Sequence, residues 1–231
     1  MQTSDHIKID ISVKLPNSKA FESNWVRDRY DLDIENYEKS WKFDFKMPSD
    51  WQIGLIVGNS GSGKSLIARQ MFKTVYQDQM VSNDLVPLVE AMGDHDMQYI
   101  VESLISVGMG SVPEWVTPYR FLSTGQKMRA DLAFCMLNEQ NRIVFDEFTS
   151  VVDRQVAQVI SHSISKAFRK KNKQFVAVTC HHDVEEWLEP DWVLDMDSKQ
   201  FIEVKKKGRK SHSKFNLAKN RFGSFSKIIT I

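Results

Sequence analysis

The chain has 231 residues, 42% hydrophobic and 26% charged, which suits one substantial α/β domain with a subdomain and excludes a disordered or fibrous protein. Formal charge is only +1, yet from Lys205 onward nine basic residues stand without an acid, leaving 22 bases against 30 acids before them. Two cysteines, Cys135 and Cys180, each in an apolar run, exclude a disulfide framework and read as buried thiols in a reducing compartment.

The opening MQTSDHIKID lacks a basic-then-apolar leader, and no apolar run reaches the roughly 18 residues of a membrane span. A cytoplasmic protein without direct membrane insertion is therefore expected. Residues 1 to 50 alternate short apolar stretches with charge, and Trp41, Phe43, Phe45 and Met47 recur at period two, as in a half-buried strand. A buried strand follows over 53–57. Ile67, Met71 and Val75, four residues apart, predict a helix with one apolar stripe.

Residues 80 to 120 read as a small helical region, with its best helix over Met97 to Met109, closed by Gly108. A further helix should begin at Ser123, with Gln126 completing a capping box. Beyond a turn at Asn138 to Asn141, the chain predicts a strand over 143–145, a helix over 153–170 and a strand over Phe175 to Cys180. A helix near Glu185 and a strand over Trp192 to Met196 follow. Strands alternating with helices imply an α/β fold with a mostly parallel sheet covered on both faces.

The chemistry centres on Gly58-Asn59-Ser60-Gly61-Ser62-Gly63-Lys64-Ser65, which matches G-x-x-x-x-G-K-[ST] between a buried strand and a helix. Backbone N–H groups of such a loop converge on phosphates, helped by the N-terminus of the next helix. Lys64 would reach the β and γ phosphates and the Ser65 hydroxyl would hold Mg²⁺. The apolar strand 143–145 ends in Asp146, a second Mg²⁺ carboxylate, and Glu147, placed to polarise an attacking water as a general base.

Leu122 to Gln126, LSTGQ, lies 20 residues before that carboxylate pair and makes the resemblance specific. It is similar to the LSGGQ signature of ABC-class ATPases, with Thr124 replacing the first glycine. DEFTSVVD, Asp146 to Asp153, resembles the Walker B strand and D-loop of that class, with Phe148 where proline is usual. His181 or His182 matches the switch histidine that reads the γ-phosphate. The distance from the preceding strand favours His181, and the HDVEEW context favours His182.

The resemblance implies a P-loop NTPase of ABC type at residues 1–204, with a helical subdomain at about 80–137 and a basic tail at 205–231. It implies ATP with Mg²⁺, sandwiched between Gly58–Ser65 of one subunit and Ser123, Thr124, Gly125 and Gln126 of the other, in an ATP-dependent homodimer. Asp153 joins that nucleotide site. Tyr30, ahead of Tyr37, is its candidate for stacking on adenine, and Gln77 and Gln79 are candidates for the glutamine that couples to a partner.

Only 59 residues separate Lys64 from Ser123, too few for long coiled-coil arms and leaving little room for a transporter-type β subdomain. The chain resembles soluble ABC ATPases of phages and mobile elements, sometimes fused to a GNAT acyltransferase, which here would act in trans. The leading expectation is a soluble ATPase driving a partner enzyme or a nucleic-acid transaction; the basic tail reads first as a solvated linker, with nucleic acid a candidate ligand. Alternatives are the motor subunit of a membrane transporter and an ATP-sensing switch with negligible turnover.

Overall fold

Every residue of Ile53–Val57 is buried, as a strand hydrogen-bonded on both edges and covered on both faces requires. The computed structural model describes residues 6–14, 18–31, 37–72, 75 and 83–204. Its strands are β1 His6–Lys14, β2 Glu38–Lys46, β3 Ile53–Val57, β4 Arg142–Phe145, β5 Gln174–Thr179, β6 Trp192–Asp195 and β7 Gln200–Glu203. Its α-helices are α1 Phe21–Tyr30, α2 Lys64–Met71, α3 Leu88–Ala91, α4 Met97–Ser106, α5 Val112–Val116, α6 Thr124–Leu137, α7 Arg154–Lys170 and α8 Val184–Leu188.

Five strands form the main sheet in the order β4-β5-β3-β6-β7, parallel except for β7 at one edge. A separate antiparallel pair, β1 and β2, runs in register from His6 opposite Lys46 to Lys14 opposite Glu38. The pleat sends alternate side chains to two different cores. Leu55, Val57, Phe145, Phe175 and Ala177 join Leu104, Leu132, Ile160 and Leu188 of the helices on one face. Ile56, Val144, Val176, Val178 and Leu194 join Trp41 and Phe43 of β2 and Ile67 and Ala68 of α2 on the other. The result is a sheet between two covering layers, the α/β arrangement expected from the sequence.

Gly54 interrupts the apolar run because Trp192 lies against it. A Cβ there would stand 2.2 Å from the indole ring. α6 is buried on nearly all sides, whereas α7 buries one stripe, Ala157, Ile160, Ile164 and Phe168.

The helix expected to reach Val75 stops at Met71. Phe72 is extended at the C-cap and buried in the β2-side core, so its packing turns the chain out of helix while Val75 still touches that core. α4 ends at Ser106, short of Met109, because Gly108 turns back with φ 83° and donates to the Ile105 carbonyl. The strand expected at Trp41 begins three residues earlier, at Glu38. β1, α1 and β7 were not foreseen at all.

Cys135 is buried, with its thiol pushed well above the ordinary range by that burial, and Cys180 is partly buried. Gln77, Gln79 and the basic segment 205–231 lie outside the described residues. Among the described residues no helix is long and apolar enough to cross a membrane.

Candidate functional site

The cradle occupies the carboxyl end of β3, where a parallel sheet offers its ligand crevice. Gly61 and Gly63 adopt φ of 76° and 95°, and the Ser62 N–H closes a turn on the Asn59 carbonyl at 3.1 Å. Lys64 opens α2, is buried, and donates from Nζ to the Asn59 carbonyl at 2.9 Å. The Ser62 hydroxyl is buried without a hydrogen-bond partner. A buried hydroxyl without a partner is costly, and an anion seated in the loop would relieve it, so the loop fits phosphate.

Three contacts unforeseen in the sequence grip this loop. From β2, Trp41 donates its indole N–H to the Ser62 carbonyl at 2.6 Å and Lys39 donates to the Gly61 carbonyl. From beyond β6, the Asp197 carboxylate accepts the Asn59 N–H at 3.0 and 3.1 Å. Only the period-two alternation marked Trp41, and it signalled burial rather than contact with the cradle. Tyr30 is exposed on α1, none of whose residues is buried, while Tyr37 precedes β2 on the same alternation as Lys39 and Trp41.

Asp146 follows β4 and is buried; Glu147 is exposed in a left-handed conformation, φ 53°, and its N–H donates to Asp146 Oδ1 at 3.0 Å. The two carboxylates therefore differ sharply in access to water. The Glu147 carboxylate accepts from the Ser150 hydroxyl at 2.6 Å, which orients it. Because β4 and β3 flank β5 in parallel register, Asp146 stands at the same end of the sheet as the cradle. Among the described residues no three His, Cys, Asp or Glu side chains converge on a metal site. Ser65 and Asp146 suit Mg²⁺, which a protein holds through one or two oxygens plus substrate phosphates.

The adjacent histidines face different neighbours. Burial holds His181 below the usual imidazole range, the Arg154 cation adds to this, and Asp183 and Glu147 oppose it. His182 is more exposed and places Nε2 3.6 Å from the Asp197 carboxylate that also holds the cradle.

Ser123 caps α6 with a complete capping box. Its backbone N–H donates to Gln126 Oε1 at 2.8 Å, and the Gln126 N–H donates to the Ser123 hydroxyl at 3.3 Å. Gln126 Nε2 in turn donates to Glu114 at 2.8 Å, so both ends of that side chain are committed within the chain. Ser123 and Thr124 are exposed. Gly125 packs on the segment before Asp153, since a Cβ there would lie 3.3 Å from the Val151 carbonyl. Asp153 caps α7 by accepting the Val156 N–H at 2.9 Å.

No family model matches the chain. Among curated proteins it is 23% identical to the energy-coupling factor transporter ATP-binding protein EcfA1 of Mycoplasma mycoides, covering 85% of this chain and 56% of that one. It is 26% identical to EcfA1 of Staphylococcus aureus, covering 62% and 66%. The chain thus spans about half to two thirds of the length of these relatives.

Among solved structures, the dimeric bacterial ABC transporter cassette MJ0796 superposes with a TM-score of 0.57 at 14% identity, over 75% of this chain and 95% of that one. An inward-facing ABC transporter of metal-chelate type gives 0.52 at 18% identity, over 73% and 76%. With strand order, cradle and capped helix in hand, these likenesses identify the fold: the chain is a P-loop NTPase fold of the ABC nucleotide-binding type.

Proposed function

We propose that this chain binds ATP and hydrolyses it at a site shared between two copies. The observation that carries the reading is the convergence of the cradle, Asp146, Glu147 and the histidine pair at one end of the sheet, while the signature residues sit on another element. Lys64, the loop amides and the α2 N-terminus bind the phosphates, leaving γ-phosphate charge to be met by a second chain's Ser123 and Gly125. Mg²⁺ held by Ser65 and Asp146 would neutralise charge on the transferring phosphoryl group. Glu147, steered by Ser150, orients and deprotonates water. His181, whose pKa burial and the Arg154 cation lower and which is close enough to Glu147 to feel its charge, is favoured as the histidine that reads the γ-phosphate, and His182 instead buttresses Asp197.

For the adenine we favour Tyr37 over Tyr30, because Tyr37 continues the β2 face that already touches the cradle at Lys39 and Trp41. The relatives' roles support a motor subunit of a membrane transporter, with the membrane component supplied by other chains. A soluble ATPase acting on an enzyme or nucleic acid is the second reading, resting on the compact interval between Lys64 and Ser123.

Glu147→Gln tests the chemistry. Hydrolysis should fall at least a hundredfold, ATP binding should persist, and a dimer should accumulate with ATP, seen by light scattering. Unchanged turnover would remove Glu147 from the reaction.

A further inference from the structure

Asp183 stands at the N-cap of α8, where an aspartate normally accepts an amide of the first turn, yet it makes no such bond. Asp96, Ser123 and Asp153 all cap their helices in that way. The Asp183 carboxylate is committed instead to Arg154, the first residue of α7. Arg154 Nε donates to Oδ2 at 2.9 Å and Nη2 donates to Oδ1, a two-point clamp. The guanidinium also lies over the Trp187 ring, 5.0 Å from its centroid. A bidentate, stacked arginine fixes geometry more tightly than a lysine or a single bond.

Stability does not explain this arrangement. α7 and α8 already pack together through the core that holds fully buried Ile160, Val184 and Leu188. The pair itself is 37% and 44% exposed, a setting in which ion pairs add little. Its ends, however, are short rigid links to the reaction centre. Asp183 lies in the turn in which the His181 carbonyl accepts the Val184 N–H. Arg154 follows Asp153, and the preceding residues lead back to Ser150, which holds both the Glu147 carboxylate and its carbonyl.

We propose that Arg154 is a positioning residue that locks the segment after Glu147 to the turn carrying His181, fixing the base and the γ-phosphate histidine relative to one another. This rests on the ATPase reading above. Arg154 touches no reacting atom; it acts through Asp183 and by its charge near His181. The ionisable groups facing His181 are Arg154 on α7, Asp183 before α8 and Glu147 after β4. Without the Arg154 cation, burial alone would oppose the pull of the two carboxylates on the imidazole.

The test compares wild type with Arg154→Ala, Arg154→Lys, the single variants Arg154→Asp and Asp183→Arg, and the exchanged pair that combines those two. Turnover, the KM for ATP, the melting temperature and the His181 NMR titration are measured, that resonance being assigned from a His181→Ala spectrum. Arg154→Ala should lower kcat roughly ten- to a hundredfold, change KM less than about twofold, and raise the His181 midpoint. Arg154→Lys should recover only a part, and the exchanged pair should recover more than either of its single variants. Unchanged kcat, or losses in kcat, KM and melting temperature together with an unmoved midpoint, would overturn the proposal. A wild type without turnover overturns the ATPase reading instead, and the midpoint then decides the Arg154 link alone.

Discussion

Trp41 and Ser62, from a strand of the hairpin and from the phosphate loop, are joined by a 2.6 Å bond from indole N–H to carbonyl. The same indole fills the space beside Gly63, where a Cβ would come within 2.6 Å of the ring. The loop is thus shaped from below by the hairpin as well as by its own glycines.

Gly63→Ala therefore meets two penalties, a φ of 95° that L side chains resist and a collision with Trp41. ATP affinity should be abolished. Trp41→Phe keeps an aromatic ring but deletes the donor, and should weaken ATP about fivefold, the worth of one ordinary hydrogen bond. Calorimetric titration measures both, and equal affinity in all three proteins would show that the hairpin leaves the loop's function untouched.

Asp191 gives a pH-dependent expectation. Burial favours its neutral form, but the N–H groups of Ile53 and Gln52 and the Arg169 guanidinium outweigh burial and hold its carboxyl below the usual range. A depressed folded-state pKa means the stabilisation is complete above the unfolded value, about 4, and is lost as pH falls through the folded one. Urea melts from pH 7 downward should show this loss below about pH 4. Asp191→Ala should cost about 3 kcal/mol at pH 7 by leaving Arg169 unpaired, with a flatter acid limb. An acid limb of wild-type slope would assign the effect to other groups.

Sharing of the site is tested by complementation. Ser123→Arg should leave monomer ATP binding nearly intact but stop dimerisation and hydrolysis, while Lys64→Ala should lose binding. Mixed, the two defects fall in one site and leave the other whole, so activity should return to a fraction of wild type. Mixed dimers that form but stay inactive at every ratio would contradict independent composite sites.

The central architecture was legible because its signals are local and redundant. Ile53–Val57 and Phe175 to Thr179 are apolar runs of strand length, and Ser123 with Gln126 announces a helix start. The candidate site was legible as two local motifs, Gly58 to Ser65 and Asp146-Glu147, which the fold brings to one end of the sheet; a phosphate cradle asks for particular residue types at fixed spacing. The clamp residues were not legible. Lys39, Trp41, Asp197 and Arg154 read as ordinary strand, turn or helix residues, and only tertiary proximity gives them partners. β1 escaped notice because its alternation is half charged, with only Ile9 buried, and its pairing with β2 across an inserted helix is non-local. The paired histidines show the same limit, since sequence distance cannot say which faces Glu147 and which faces Asp197.

Leu55 and Ile56 are chain neighbours that belong to different cores, and the same division runs across the whole sheet. β2, which grips the phosphate loop, and α2, which follows it, share one apolar interior; α6 and α7, which follow the signature and the D-loop, share the other with α4. Substitutions that soften one interior have a five-stranded partition between them and the opposite layer. Drift in the helical layer reaches the loop only through the β3 side chains Ile53, Leu55 and Val57 that face it, although it acts directly on the signature residues and the D-loop. The sheet thereby makes the packing beneath the loop's grip and the packing beneath the helical layer two largely separate problems, joined at β3.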